Sequence, residues 1–170
     1  MTLPKTISTE RLLLRPFEMR DLDGYLAYYT GDRTDGVGGP QSRQTVVNRF
    51  FAMAGQWALR GYGRYAISLR DTAIGHTGVL HCDPADPAEL TWTLWTAAQE
   101  GQGYATEAAQ AVLSEWDGPT LIAHIAPENA ASIRVAERIG MRFDPHATPP
   151  SYAPSMHTYR ADTGAERSGQ

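Results

Sequence analysis

The chain has 170 residues, a formal net charge of −4, 42% hydrophobic and 20% charged residues. That length and composition fit one domain with a full core and exclude a largely disordered chain, and a pI near 5.7 argues against a broad basic surface for nucleic acid. The single cysteine, Cys82, excludes an intramolecular disulfide, and no apolar run reaches the ~18 residues of a membrane span, so the expectation is a cytoplasmic protein without membrane or nucleic-acid partners.

Residues 11–17 (RLLLRPF) predict a first strand, ended by Pro16. From Asp21 to Tyr29 the apolar positions Leu22, Tyr25, Leu26 and Tyr29 recur at helical spacing. Residues 31–40 are too rich in glycine to propagate a helix or a strand. A second helix starts at Ser42 and runs to about Leu59, with Val46, Phe50, Met53 and Trp57 on one face and Gly61 ending it. Residues 64–70 and 73–81 predict a hairpin around Asp71 and Thr72. In residues 89–96 Leu90, Trp92 and Leu94 alternate with Thr91, Thr93 and Trp95, the clearest strand pattern of the chain. A Gly-rich turn, EGQGYA, then enters a helix reaching Trp116. Residues 120–126 predict a strand, Asn129 caps a helix that Gly140 ends, and short strands at 141–144 and 156–161 precede a frayed tail at 162–170. The mixture implies an α+β (mixed α/β) domain over 1–170, with a sheet partly parallel at its end.

The chemistry concentrates where the strand at 89–96 feeds the helix that follows. First-turn amides of a helix have no internal partner, and the helix dipole adds positive charge there. Gly101 and Gly103 let a phosphate approach the backbone, or merely shape a turn. A phosphate-binding Walker loop is excluded, because Lys5 is the only lysine, and the dinucleotide fingerprint fails at Thr106. His81, Cys82 and Asp83 are adjacent but lack a second ligand pair, so no metal site is expected.

Three blocks in order, ISTERLLLRPFEMRDLDGY at 7–25, ELTWTLWTAAQEGQGYATEAAQAVL at 89–113 and PENAASIRVAERIGMRF at 127–143, resemble the GNAT superfamily of acetyl-CoA-dependent N-acetyltransferases. Within it they look most like the RimJ/RimL-like branch, which acetylates ribosomal-protein N-termini. The chain departs from the family pattern at Glu100, where Gln or Arg is usual and where the side chain is expected to face solvent, and at Met141, where Phe is common. The resemblance implies a strongly twisted mixed sheet of about seven strands with four helices, splayed between 89–96 and 120–126.

Acetyl-CoA would enter that gap, its pantetheine pairing with the backbone of Leu94, Trp95 and Thr96. Its pyrophosphate would sit on amides of Gly101, Gln102, Gly103, Tyr104 and Ala105, with the Thr106 hydroxyl nearby. Asn129 would bond the pantetheine or cap its helix, or both. Ser132 would protonate the leaving thiolate or simply face solvent. Glu89 is the leading base, against an exposed strand-end acid, with His124 as a relay or a structural histidine. Residues 31–43, with Asp32, Arg33, Asp35 and Arg43, and 145–155, with His146 and Tyr152, would wall the acceptor site; Trp57, Tyr62 and Tyr65 would add aromatic wall or pack in the core. The net charge mildly favours a cationic acceptor. The implied activity is transfer to a primary amine, a protein N-terminus or a small molecule, by a monomer or homodimer without metal. The other reading is a catalytically inactive acyl-CoA-binding sensor or interaction module.

Overall fold

The computed structural model describes residues 2–150 and 153–161, with residues 35–37 described by backbone alone. The expected tail at 162–170, Tyr152 and the Asp35 side chain lie outside the described residues. The strands are β1 (Ile7–Ser8), β2 (Leu13–Arg15), β3 (Arg64–Leu69), β4 (Thr72–Leu80), β5 (Glu89–Leu94), β6 (Ile122–Ile125), β7 (Met141–Phe143) and β8 (His157–Ala161). The helices are α1 (Leu22–Tyr29), α2 (Arg43–Arg60), α3 (Tyr104–Glu115) and α4 (Ala130–Arg138). No helix among the described residues is long and apolar enough to cross a membrane.

The eight strands form one sheet in the order β1-β2-β3-β4-β5-β6-β8-β7. Only β5 and β6 run parallel. That parallel pair lies inside the sheet rather than at its end, because the chain returns from α4 to lay antiparallel β8 and β7 beyond β6. The strand count exceeds the expected seven because Ile7–Ser8 pairs back on Leu13 and Leu14. The β3–β4 turn uses Arg70 and Asp71, both at positive φ (49° and 66°), one residue earlier than expected. Two such residues in succession match the twist of a tight hairpin, and the charged pair stays exposed.

The caps follow the sequence. Ser42 accepts from the Thr45 amide at 3.2 Å and Gly61 ends α2 in the left-handed region. Asn129 accepts from the Ser132 amide at 3.0 Å. Met141 fills a buried core position while Phe143 stays exposed against the rings of His157 and Tyr159.

Side chains alternate across the sheet, which divides the core in two. On one face Leu14, Tyr65, Ile67, Val79 and Leu90 pack under Ala108, Ala109 and Val112 of α3 and Ala136 of α4. Trp57, Tyr62 and Tyr65 belong to this cluster; Tyr65 donates to the Pro4 carbonyl at 2.6 Å and Trp57 to the Arg64 carbonyl at 2.8 Å. On the other face Tyr25, Leu26 and Tyr29 of α1 and Val46, Phe50 and Met53 of α2 close around Trp95.

Two buried polar contacts hold this second core. Arg15 grips Asp21 with both guanidinium nitrogens, at 2.7 and 2.8 Å, and Asp21 also takes the Glu18 amide at 2.8 Å at the entry to α1. Deeper in, the Trp95 indole donates to His76 Nδ1 at 3.1 Å, and His76 Nε2 meets the Tyr29 hydroxyl at 3.2 Å. Indole N–H only donates, so Nδ1 is the bare nitrogen. Burial, then the nearby Arg64 and Arg49 charges, hold the His76 imidazole well below its usual range. It is therefore neutral, carries its proton on Nε2 and donates to Tyr29.

Asp21→Ala leaves the buried Arg15 guanidinium with only the Pro16 carbonyl at 3.1 Å and the half-exposed Glu18 carboxylate at 3.7 Å, and urea unfolding should show a loss of about 3 kcal/mol. Stability should also fall in acid. In the unfolded chain His76 takes up a proton below about pH 6.5, whereas the native site refuses it. Its contribution is thus complete above that pH and declines below it, by up to about 1.4 kcal/mol per pH unit. His124, pushed down by burial, adds in the same direction. His76→Gln should flatten the stability profile between pH 5 and 7; an unchanged slope would remove His76 as a source.

Candidate active site

Strands β5 and β6 pair at one position, Glu89 with Ile122, with the Ile122 amide donating to the Ala88 carbonyl at 3.1 Å. Beyond it they part. β5 stays with β4 as far as Leu94, and β6 stays with β8 through Ile125. Trp95 keeps the end of β5 on the β4 side: its amide donates to the Ile74 carbonyl at 2.9 Å, its carbonyl accepts from Arg33 at 3.1 Å, and its indole is buried.

This changes which backbone groups face the gap. In an antiparallel ladder, alternate residues point their amide and carbonyl toward the same neighbour. The Trp95–Ile74 bond shows that the odd-numbered residues of β5 serve β4, which leaves Trp92 and Leu94 facing the gap. Leu94 keeps its expected position. Trp95 does not, since both its backbone groups are engaged, and Thr96 lies past the strand with its carbonyl accepting from the Gln99 amide at 3.2 Å. Trp92, outside the expected set, faces the gap beside Leu94, an orientation that follows from the period-two pattern of β5.

The gap opens into a cavity of about 460 Å³ that reaches the Gly-rich turn. Gly101, Gly103, Tyr104, Ala105 and Thr106 line it, and Gln102 does not; its carbonyl instead accepts from Arg11 at 2.9 Å. Gly103 is the N-cap of α3, at φ 81°, and supplies no capping side chain. The first-turn amides of α3 are therefore left to whatever occupies the cavity.

Arg11 and Glu107 hold this turn in place. The Glu107 carboxylate accepts from the Thr9 hydroxyl at 2.6 Å, the Arg11 amide at 2.9 Å and Arg11 Nε at 2.7 Å, while the Arg11 guanidinium lies 4.6 Å from the Tyr104 ring centre. Partial burial raises the Glu107 carboxyl, but these hydrogen bonds outweigh it and hold the group below its usual range.

Glu100, although exposed, does not simply point to solvent: it pairs with Arg33, which cancels the carboxylate next to the turn. Arg33 thereby faces this cavity rather than an acceptor wall. Arg134 and Arg138 of α4 line it too, a basic stripe legible from their four-residue spacing.

A second cavity of about 160 Å³ lies where Glu89 and His124 meet. Both cavities share Trp92, Thr93, Asn129 and Ser132, so they join at the parted strands and the start of α4. Glu89 Oε1 lies 3.7 Å from His124 Nε2, and His124 Nδ1 is 3.2 Å from the Thr158 hydroxyl. Burial lowers His124, so the ring is neutral at pH 7. A carboxylate beside a neutral imidazole can take up a proton here.

The aromatic wall expected from Trp57, Tyr62 and Tyr65 is absent from both linings, since all three pack in the core. Tyr29, Arg49, Arg64 and His76 line the second cavity instead. Nothing in the local sequence signalled them; the α1–α2 layer brings them together.

Residues 11–142 match the acetyltransferase (GNAT) domain family. The uncharacterized N-acetyltransferase YnaD of Bacillus subtilis (strain 168) is 30% identical over 147 residues, covering 80% of this chain and 82% of its own. The crystal structure of an acetyltransferase from Agrobacterium tumefaciens str. C58 superposes with a TM-score of 0.86 at 35% identity, covering 96% of each chain. RimL, the ribosomal L7/L12 alpha-N-protein acetyltransferase solved in complex with coenzyme A, shares the fold at a TM-score of 0.75 and 17% identity, covering 97% of this chain and 99% of its own. With the family match spanning most of its length, the chain belongs to the GNAT family of acetyltransferases and is an enzyme.

Proposed function

We propose that this single domain carries the acetyl group of acetyl-CoA directly to the nitrogen of a primary amine, a protein N-terminus or a small molecule. The junction of the two cavities at Asn129 and Ser132 carries the reading. It allows a thioester entering from one side to meet an amine held on the other. The blocks at 7–25, 89–113 and 127–143 support a place in the RimJ/RimL-like branch.

The residues present fit acetyl-CoA. Uncapped amides at the start of α3 suit its pyrophosphate, and Arg134 and Arg138 add positive charge along the same cavity. The gap-facing backbone of Trp92 and Leu94 can pair with the pantetheine amides as an added strand would. The Asn129 carbonyl oxygen is committed to its helix cap, and its NH2 remains to bond the pantetheine.

An ammonium has no lone pair, so the acceptor must lose a proton before it reacts. Glu89, with His124 beside it, takes that proton. The amine nitrogen then attacks the thioester carbon; the C–N bond forms, the C–S bond breaks, and the Ser132 hydroxyl gives its proton to the leaving thiolate as it takes the surplus proton from the nitrogen, so that a neutral amide, a thiol and the serine hydroxyl remain.

Gly103→Val forces a β-branched residue to positive φ and sets a side chain toward Arg11. Calorimetry should show coenzyme A affinity reduced at least about tenfold; unchanged affinity would place the cofactor elsewhere. Glu89→Gln should slow transfer by about 100-fold, most severely at low pH, where the amine holds its proton. A pH–rate profile identical to wild type would remove Glu89 as the base.

A further inference from the structure

Arg64 is 8% exposed, close to the 6% of Arg15. Arg15 has Asp21 as its partner. Among the described residues the Arg64 guanidinium has neither a hydrogen-bond nor an ion-pair partner, and it lines the second cavity. Its guanidinium nitrogens are not sealed in the core, where the Tyr25 hydroxyl is the one buried polar side-chain atom without a partner among the described residues; they open into the cavity, where a positive charge with no acid bonded to it marks a place for an anion.

Arg64 does not stand alone. Arg49, from α2, lines the same cavity; it bonds the Gln41 side chain at 2.8 Å and lies 4.9 Å from the Tyr29 ring centre, contacts that leave its charge unneutralised. Among the described residues Glu89 is the one carboxylate of the lining, at the end where the two cavities join. The register fixes the span between the charges. Arg64 pairs with Gly78 and Gly78 with Thr91, so Arg64 lies in the same row as Thr91, two residues along β5 from Glu89. By strand spacing and rise the two Cα atoms are roughly 12 Å apart. Alternation puts Arg64, Thr91 and Glu89 on one face of the sheet. Gly78 permits the close approach of β4 to Arg64, for a Cβ there would lie 2.7 Å from the Arg64 Cα.

We propose that the acceptor is a small amine that carries its own carboxylate, the carboxylate bound by Arg64 with Arg49 and the nitrogen presented to Glu89. A simple cation would meet two arginines and be repelled; a molecule with both charges is matched at each end. The inference deepens the acetyl-transfer reading and rests on it. It also reverses the cationic acceptor that the net charge favoured, because the local field and not the total decides what enters a cavity this small.

The test is a coenzyme A release assay with acetyl-CoA and glycine, β-alanine and 4-aminobutanoate, each beside its methyl ester, plus 2-aminoethylphosphonate. A short peptide with Asp at its second position, beside its Asn counterpart, distinguishes a peptide-borne carboxylate from a free one. Wild-type enzyme should prefer acids over esters in kcat/KM, and Arg64→Gln should shrink that preference about 10- to 100-fold. Comparing variant with wild type cancels the pKa difference between acid and ester. Arg64→Lys, which keeps the charge without the fork, should fall between, and Arg49→Gln, outside the core, gives the same readout if Arg64→Gln fails to fold. Equal use of acids and esters, a preference unmoved in the variants, or a carboxylate effect confined to the peptide would overturn the proposal. If no amine is acetylated while coenzyme A still binds, the transfer reading has failed separately; calorimetry of 4-aminobutanoate with the coenzyme A-loaded protein then decides, with binding lost in Arg64→Gln supporting the anion site and no binding to wild type refuting it.

Discussion

The parting of β5 from β6 governs the rest of the molecule. A parallel pair that continued past Glu89 and Ile122 would fill the gap with its own hydrogen bonds and leave no slot. Two anchors prevent it: Trp95, sunk in the α1–α2 core and bonded to His76, keeps β5 on β4, and β8 keeps β6 through four paired residues. Backbone groups of Trp92 and Leu94 are thereby left facing open space, an arrangement that is costly unless something pairs with them. The unmet ladder can be completed by an added strand of amides.

Charge is distributed unevenly around that opening. On the α3–α4 side, Arg134, Arg138 and the Arg33–Glu100 pair surround the first turn of α3. On the α1–α2 side, Arg49 and Arg64 face Glu89. A chain of net charge −4 thus offers two positive linings, one on each side of the sheet. The histidine beneath Arg49 and Arg64 is held neutral in the core and meets the Tyr29 hydroxyl, so the arginine charge is directed at the cavity.

Much of the fold was legible because local rules and tertiary packing agree. Ser42 and Asn129 mark helix starts by side-chain caps, Gly61 and Gly140 mark helix ends by positive φ, and the alternation in 89–96 marks the strand that bears Glu89. The Gly-rich turn was legible for the same reason: a helix entered through glycines leaves its amides bare. Sequence and structure part where a single residue shifts the register. Trp95 reads as the end of a strand, yet its indole turns into the second core, so the backbone that faces the gap belongs to Trp92 and Leu94. Trp57, Tyr62 and Tyr65 read equally well as wall or core, and only packing chose the core.

Most elements and their caps are legible along the chain, because periodicity and capping act between near neighbours, and the order of the three blocks marks an acetyltransferase. The tertiary structure alone decided which side chains share a cavity. Arg64 sits on β3, Arg49 on α2, Glu89 on β5 and His124 on β6, and no spacing along the chain relates them. Their meeting depends on sheet order and on a helix layer packed against one face. A buried arginine without an acid beside it becomes visible only once every neighbour is in place.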